Sequence, residues 1–114
     1  MKDEYIVVLV AASSEDEGAA IAKVLVSETL AGCVNIVKGV RSIYSWQGRV
    51  EDEQEVLLIA KTRRELFEKL AEKVRELHSY EVPEIISVPV EEGSEAYLNW
   101  LTNATRIKAA PKHG

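Results

Sequence analysis

Gly32-Cys33-Val34-Asn35-Ile36-Val37-Lys38-Gly39-Val40-Arg41-Ser42-Ile43-Tyr44-Ser45-Trp46-Gln47-Gly48 is the stretch whose reading decides the fold. β-Branched and aromatic residues recur through it, which predicts one unusually long strand. Gln47-Gly48 turns the chain into a second strand, Arg49 to Lys61. About fourteen residues at ~3.3 Å each make a strand of roughly 45 Å. A compact domain of this length has a radius of gyration of about 13 Å, hence a diameter of roughly 34 Å. The outer part of the hairpin must therefore overhang, carrying Ile43, Tyr44, Trp46 and Val50. Left in water, these side chains would form an aggregation-prone patch. Either Gly39 bends the strand back over its own core, or the hairpin joins the sheets of sister molecules and closes a ring. The strand length favours the ring. Glu51, Asp52, Glu53 and Glu55 would then limit further growth at the edge.

Outward from the hairpin, the rest of the chain supplies short, alternating elements. Tyr5 to Ala11 is a continuous apolar run, as expected of a central strand buried on both faces. Ser14-Glu15-Asp16-Glu17 predicts a capping box, followed by Ala20, Ile21, Val24 and Leu25 at helical spacing and closed by Gly32. Gly39 predicts a bulge within the long strand. Beyond the turn, Glu55, Leu57, Ile59 and Lys61 alternate with Val56, Leu58 and Ala60. Thr62-Arg63-Arg64-Glu65 predicts a second capping box, and Leu66, Phe67, Leu70, Ala71, Val74 and Leu77 form one helical stripe. Glu84 to Val90 reads as a fourth strand with Pro89 at an edge or end, entered through Pro83. A last helix starts near Ser94 with Tyr97, Leu98, Trp100 and Leu101 on its apolar side. The order is β-α-β-β-α-β plus a helix, an α+β chain on the ferredoxin-like plan. Residues 1–104 are expected to form one domain, and 105–114 a disordered tail.

Composition narrows the function classes. The chain has 114 residues, 46% hydrophobic and 29% charged, the balance of an ordinary globular domain. A formal charge of −5 argues against a broad nucleic-acid surface. No apolar run approaches the ~20 residues needed to cross a bilayer, so neither nucleic acid nor membrane is an expected partner. A single cysteine, Cys33, rules out an internal disulfide. With no signal-like segment before Tyr5, this points to a cytoplasmic location. The scattered glycines form no phosphate-binding loop, and a shared fold plan licenses no enzyme.

At the hairpin and around it, the chain resembles the CutA (CutA1) family of divalent-cation tolerance proteins. The segments that carry the resemblance are Ala31 to Ile36, Ser42 to Gly48, Glu55 to Thr62, Leu77-His78-Ser79-Tyr80-Glu81-Val82-Pro83-Glu84-Ile85 and Tyr97 to Leu101. It runs from Tyr5 to about Thr102. The resemblance implies a ferredoxin-like subunit in a tight homotrimer similar in architecture to the PII signalling proteins, and a link to tolerance of copper and other divalent ions. The chain departs from the family's pattern in two places. His78-Ser79-Tyr80 stands where the family usually has His-Pro-Tyr. Members with proposed copper ligands have a cysteine and paired histidines where this chain has Ala11 and Leu77-His78.

Candidate chemistry follows from few residues. One cysteine and two histidines, without C-x-x-C or H-x-x-x-H spacing, cannot close a four-ligand site within one subunit. His78 is the one candidate metal ligand, pooling with Glu81 or Glu84 of a neighbour to hold a divalent cation such as copper. The alternative is a histidine that caps a helix end. His113, near the end of the chain, would bind metal only adventitiously. Cys33 needs a base to act as a nucleophile, and the basic candidates Lys61 and His78 are expected across the fold; otherwise it is a small buried residue at a helix-to-strand corner. In the trimer that the resemblance implies, Asn35, Tyr44, Trp46, Lys61, His78, Tyr80 and Glu84 would gather at an inter-subunit cleft. Such a cleft suits a small anionic or planar molecule, with Tyr44 and Trp46 alternatively serving as interface anchors. The expected function is a non-enzymatic trimer that binds or senses a small ligand or divalent ion. The alternative is a structural or protein-interaction trimer with no specific metal site.

Overall fold

The computed structural model describes residues 4–106. β1 (Tyr5–Ala12), α1 (Glu15–Ser27), β2 (Cys33–Trp46), β3 (Arg49–Arg63), α2 (Phe67–Leu77), β4 (Ile85–Val90) and α3 (Glu95–Ala104) follow one another in the expected order. The four strands form one antiparallel sheet in the order β2-β3-β1-β4. That arrangement is the ferredoxin-like plan, with β1 central as its apolar run predicts and β4, which carries Pro89, at an edge.

Alternation along the strands sends one set of side chains to each face. Ile6, Val8 and Val10 of β1 and Val56, Leu58 and Ala60 of β3 are buried against Ile21 and Leu25 of α1 and Leu70 and Val74 of α2. On the opposite face, Leu9 lies across from Ile59 and Ile86, and Val7 from Lys61 and Val88. The same face continues into β2, where Val37 lies across from Leu57. α3 covers one end of this second face. The Tyr5 hydroxyl bonds the Thr102 hydroxyl at 2.7 Å, and the Arg63 guanidinium donates to the Thr105 hydroxyl and carbonyl. The rest stays open, with Ile86 and Val88 about half exposed.

The hairpin runs the length expected. Trp46 pairs with Arg49 across a turn in which Gln47 and Gly48 both take left-handed φ values. The register shifts between Val37 and Val40, and Gly39 sits in that shift at φ +72°, a conformation that L side chains rarely adopt. The bulge does not fold the outer half back. The chain extends 50 Å along its longest axis with a radius of gyration of 15.3 Å, against about 13 Å for a compact chain of this length.

Three local expectations are corrected. Gly32 does not close α1; the helix ends at Ser27, and Thr29 takes the left-handed position at φ 58°. Gly32 instead permits close packing, since a Cβ there would lie 2.5 Å from the Leu101 side chain. The second capping box is absent, because Thr62 belongs to β3 and its hydroxyl donates to the Leu30 carbonyl at 2.6 Å. A 3-10 turn over Arg64–Leu66 leads into α2 without a side-chain cap. Thr105, assigned from sequence to the tail, is fully buried and bonded to α3 and Arg63. The remainder of the expected tail, residues 107–114 with His113, lies outside the described residues.

Candidate functional site

Where the hairpin leaves its own domain, the chain borders an open cavity of about 580 Å³. Ser42, Ile43, Tyr44 and Trp46 wall it from β2, Glu55 from β3, Ala11 from β1, and Tyr80, Glu81, Val82 and Glu84 from the loop between α2 and β4. That loop is held by a relay of hydrogen bonds that begins at the start of α1. Ser14 caps the helix, its hydroxyl accepting from the Glu17 N–H at 3.1 Å. One Glu17 oxygen accepts from the Ser13 N–H and hydroxyl, so the return bond of the box goes one residue earlier than the standard pattern. The other accepts from the Ser79 N–H at 2.6 Å, fastening the loop to α1. Burial works to raise the Glu17 carboxyl, but the bonds from Ser13 and Ser79 outweigh it and bring the group down to about 2.

His78 is the next link. Its Nε2 lies 2.7 Å from the Ala11 carbonyl, and its Nδ1 accepts from the Tyr80 N–H at 3.0 Å. A carbonyl only accepts and an amide N–H only donates, so the proton is fixed on Nε2 and the lone pair on Nδ1 is already used. The side chain is fully buried, 3.8 Å from Glu17. The expectation of His78 as a metal ligand is corrected here, because neither ring nitrogen is free to coordinate. Nor is there, among the described residues, any group of three or more His, Cys, Asp or Glu side chains placed to hold a metal ion.

Tyr80 packs its ring against His78, 4.7 Å between centroids, and donates its hydroxyl to Glu55 Oε2 at 2.7 Å. Burial pushes the phenol well above its ordinary value, helped by this bond and by the charge of Glu55. Tyr80 is thus a fixed donor. Glu55 is only 7% exposed, so its reading as an edge gatekeeper is overturned: Tyr80 draws the carboxylate in under the loop. Sequence reasoning left Glu55 out of the cleft. Its in-register alternation with Leu57 and Ile59 was the signal that placed it on the same face as the apolar positions.

The seven residues expected at one cleft divide into two groups within the protomer. Tyr44, Trp46, Tyr80 and Glu84 line the cavity, with His78 bracing it from behind. Within the protomer Lys61 lies six residues, roughly 20 Å, further along β3 from Glu55, and Asn35 lies on β2 opposite Ile59, four positions from it. Lys61 is directly opposite Cys33 in the ladder, its Nζ 4.0 Å from the sulfur and bonded to the Asn35 side-chain oxygen. Lys61 is therefore beside Cys33 and not across the fold from it. Cys33 is half-buried, so the fully buried corner is corrected as well. Burial, then Cys33 itself, raises the nearby Tyr97 phenol.

Comparison with known proteins bears on this geometry. The model of the family described as "CutA1 divalent ion tolerance protein" matches residues 6–104, which takes in all three helices and all of the sheet but Tyr5. The chain belongs to the CutA1 family. It is 52% identical over 99 residues to the divalent-cation tolerance protein CutA of Thermus thermophilus, covering 87% of this chain and 96% of that one. The solved structure of the T. thermophilus protein superposes with a TM-score of 0.88 at 51% identity, over 90% of this chain and 99% of its own. The chloroplastic CutA protein of Arabidopsis thaliana is 48% identical over 101 residues; the match takes in 89% of this chain but 56% of the plant protein. Membership in CutA1 accounts for the hairpin, for the loop at His78–Tyr80 and for α3 together, because the match is continuous through all of them.

Proposed function

We propose that this CutA1 protein is a non-enzymatic homotrimer of PII-like architecture that binds a small ligand in the cavity at the base of its hairpin and acts in divalent-cation tolerance. The observation that carries the reading is the position of that cavity. It opens where the hairpin leaves its own domain, so the sister molecules that cover the outer strands would also complete its walls. Assembly is supported by what the protomer leaves open. Ile43 is 63% and Val50 78% exposed, and among the described residues the sheet face bearing Val37, Ile86 and Val88 has no cover beyond α3. β2 and β4 are both edge strands with unpaired backbone groups. The count of three rests on the family resemblance. The names of the relatives speak of divalent cations, and the His78 geometry directs the search for a cation site away from that ring.

The second reading, a trimer that serves as a docking surface for another protein, draws on α3. Tyr97 and Trp100 stack there at 5.4 Å, both close to half exposed. Sedimentation equilibrium at micromolar concentration tests the assembly. Wild type is expected to sediment as a trimer and Trp46→Glu as a folded monomer or an aggregate, because the introduced charge would sit in the covered hairpin. A wild type that sediments as a well-folded monomer would remove both readings.

A further inference from the structure

The loop between α2 and β4 is fastened through one ring and one carboxylate. His78 donates from Nε2 to the Ala11 carbonyl of β1, 2.7 Å away, and its Nδ1 accepts from the Tyr80 N–H at 3.0 Å. Glu17 Oε2, from α1, stands 3.8 Å from that same Nδ1, too far for a hydrogen bond, and accepts instead from the Ser79 N–H at 2.6 Å. A neutral imidazole satisfies this arrangement and an imidazolium does not. Both of its nitrogens donate, so the Tyr80 N–H would face another N–H. A second proton has one acceptor at hand. Among the described residues Glu17 is the only charged side chain within ion-pair distance of the ring, those in the last turn of α2 included. A closure of about 1 Å brings its oxygen into bonding range. The other titratable groups at the loop act through the Tyr80 phenol: Glu55 of β3, Tyr44 of β2 and Glu17 again. The His78 side chain is fully buried and that of Glu17 nearly so, so these contacts belong to one protomer.

We propose that His78 and Glu17 form a proton-operated latch on the loop between α2 and β4. With His78 neutral, the N–H groups of Ser79 and Tyr80 are both held and the latch is closed. When the Nδ1 lone pair takes a proton from solvent, the new N–H donates to Glu17 and the Tyr80 N–H loses its acceptor. Tyr80 is the residue that draws Glu55 in under the loop. Releasing its backbone therefore loosens the wall of the cavity formed by Tyr80, Glu81, Val82 and Glu84. The sign follows from the proton count: the open form holds one proton more, so falling pH favours it. Ser79 sets the balance, because its N–H competes with His78 for one carboxylate oxygen. The latch stands without the ligand reading of the cavity; where that reading holds, it makes ligand affinity depend on pH.

Nitrogen NMR on the full chain, scanned from about pH 8 to pH 5, tests the latch. The His78 ring nitrogens report the second proton, and the Tyr80 amide reports its bond through chemical shift and exchange protection. Both are expected to change with one midpoint, with amide protection falling about tenfold or more. Glu17→Gln keeps an acceptor for Ser79 but removes the charge, so the midpoint should move to lower pH. Ser79→Pro removes the competing N–H and should move it to higher pH; His78 is already extended at φ −81°, ψ 144°, as a residue before proline must be. Failure of one variant to fold by circular dichroism leaves the direction given by the other as the test. Titration of His78 beside an unchanged Tyr80 amide would overturn the latch. So would a ring that stays neutral throughout, or two variants that move the midpoint the same way. These readouts involve no ligand, so the reading of the cavity as a ligand site can fail without touching them.

Discussion

The two halves of the long hairpin share one backbone ladder and differ in almost everything else. From Cys33 to Val37 and from Val56 to Thr62, every second side chain of β3 is buried under α1 and α2. Past the bulge, from Val40 through the turn to Glu53, β2 and β3 stay paired, and not one side chain is buried. Hydrogen bonding therefore says little about where stability resides in this chain. The inner half is held by apolar contact with its own helices, while the outer half is held to the molecule only through its continuity with the inner one. Because isolated two-stranded hairpins are marginal in water, a difference this sharp means that the outer half is shaped for contacts beyond the protomer.

Removing apolar volume from the inner half gives the largest expected effect. Leu58 is fully buried in the core cluster that includes residues of both helices, so Leu58→Ala should lose roughly 2–5 kcal/mol through lost transfer and an unfilled cavity. Urea unfolding at fixed protein concentration checks this, since an assembling protein's midpoint depends on concentration. A loss near zero would mean that the helices do not anchor the inner half.

The next effect belongs to the junction. Glu17 ties α1 to the loop that reaches Glu55, and its carboxyl is held down at about 2 against a usual 4.5. A carboxyl lowered in the folded state contributes stability above its ordinary value and loses it as pH falls toward the folded one. Between about pH 4.5 and pH 2 the wild type should therefore lose roughly 3 kcal/mol that Glu17→Gln does not. Parallel pH profiles for the two proteins would show that the loop is held by other means.

This boundary between halves also marks how far the sequence could be read. Strand order, the hairpin turn and the Gly39 bulge were legible because each rests on local chemistry: apolar periodicity, a turn pair, a residue free to take positive φ. The helix ends were less so. Gly32 and Thr62 both carry strong local signals, yet contacts with Leu101 and Leu30, distant in sequence, decided their roles. The site was legible in part for the same reason. Tyr44, Trp46, Tyr80 and Glu84 come together, but the charge of the cavity depends on Glu55 being drawn in by a tyrosine 25 positions away. Lys61 and Asn35 were grouped with them through the trimer that the resemblance implies; within one protomer Lys61 lies six strand positions from Glu55, and Asn35, opposite Ile59, lies four.

The smallest effect lies in the outer half and is the most direct check on the comparison. Arg41 and Asp52 reach each other diagonally across the ladder in a bidentate pair, at 2.9 and 2.7 Å. Each raises or lowers the other toward its charged form, Arg41 upward and Asp52 downward. Among the described residues this is the one ion pair joined by two hydrogen bonds, and both side chains are nevertheless exposed, at 72% and 47%. Solvent and salt screen such pairs, and ordering two long side chains offsets much of what remains. Asp52→Ala should therefore leave the urea midpoint unchanged within error at 0.15 M salt. A clear loss of stability would mean that assembly removes the pair from solvent, in which case the same variant should also dissociate more readily on dilution. The single substitution thus reports whether the outer half is a solvated arm or an interface.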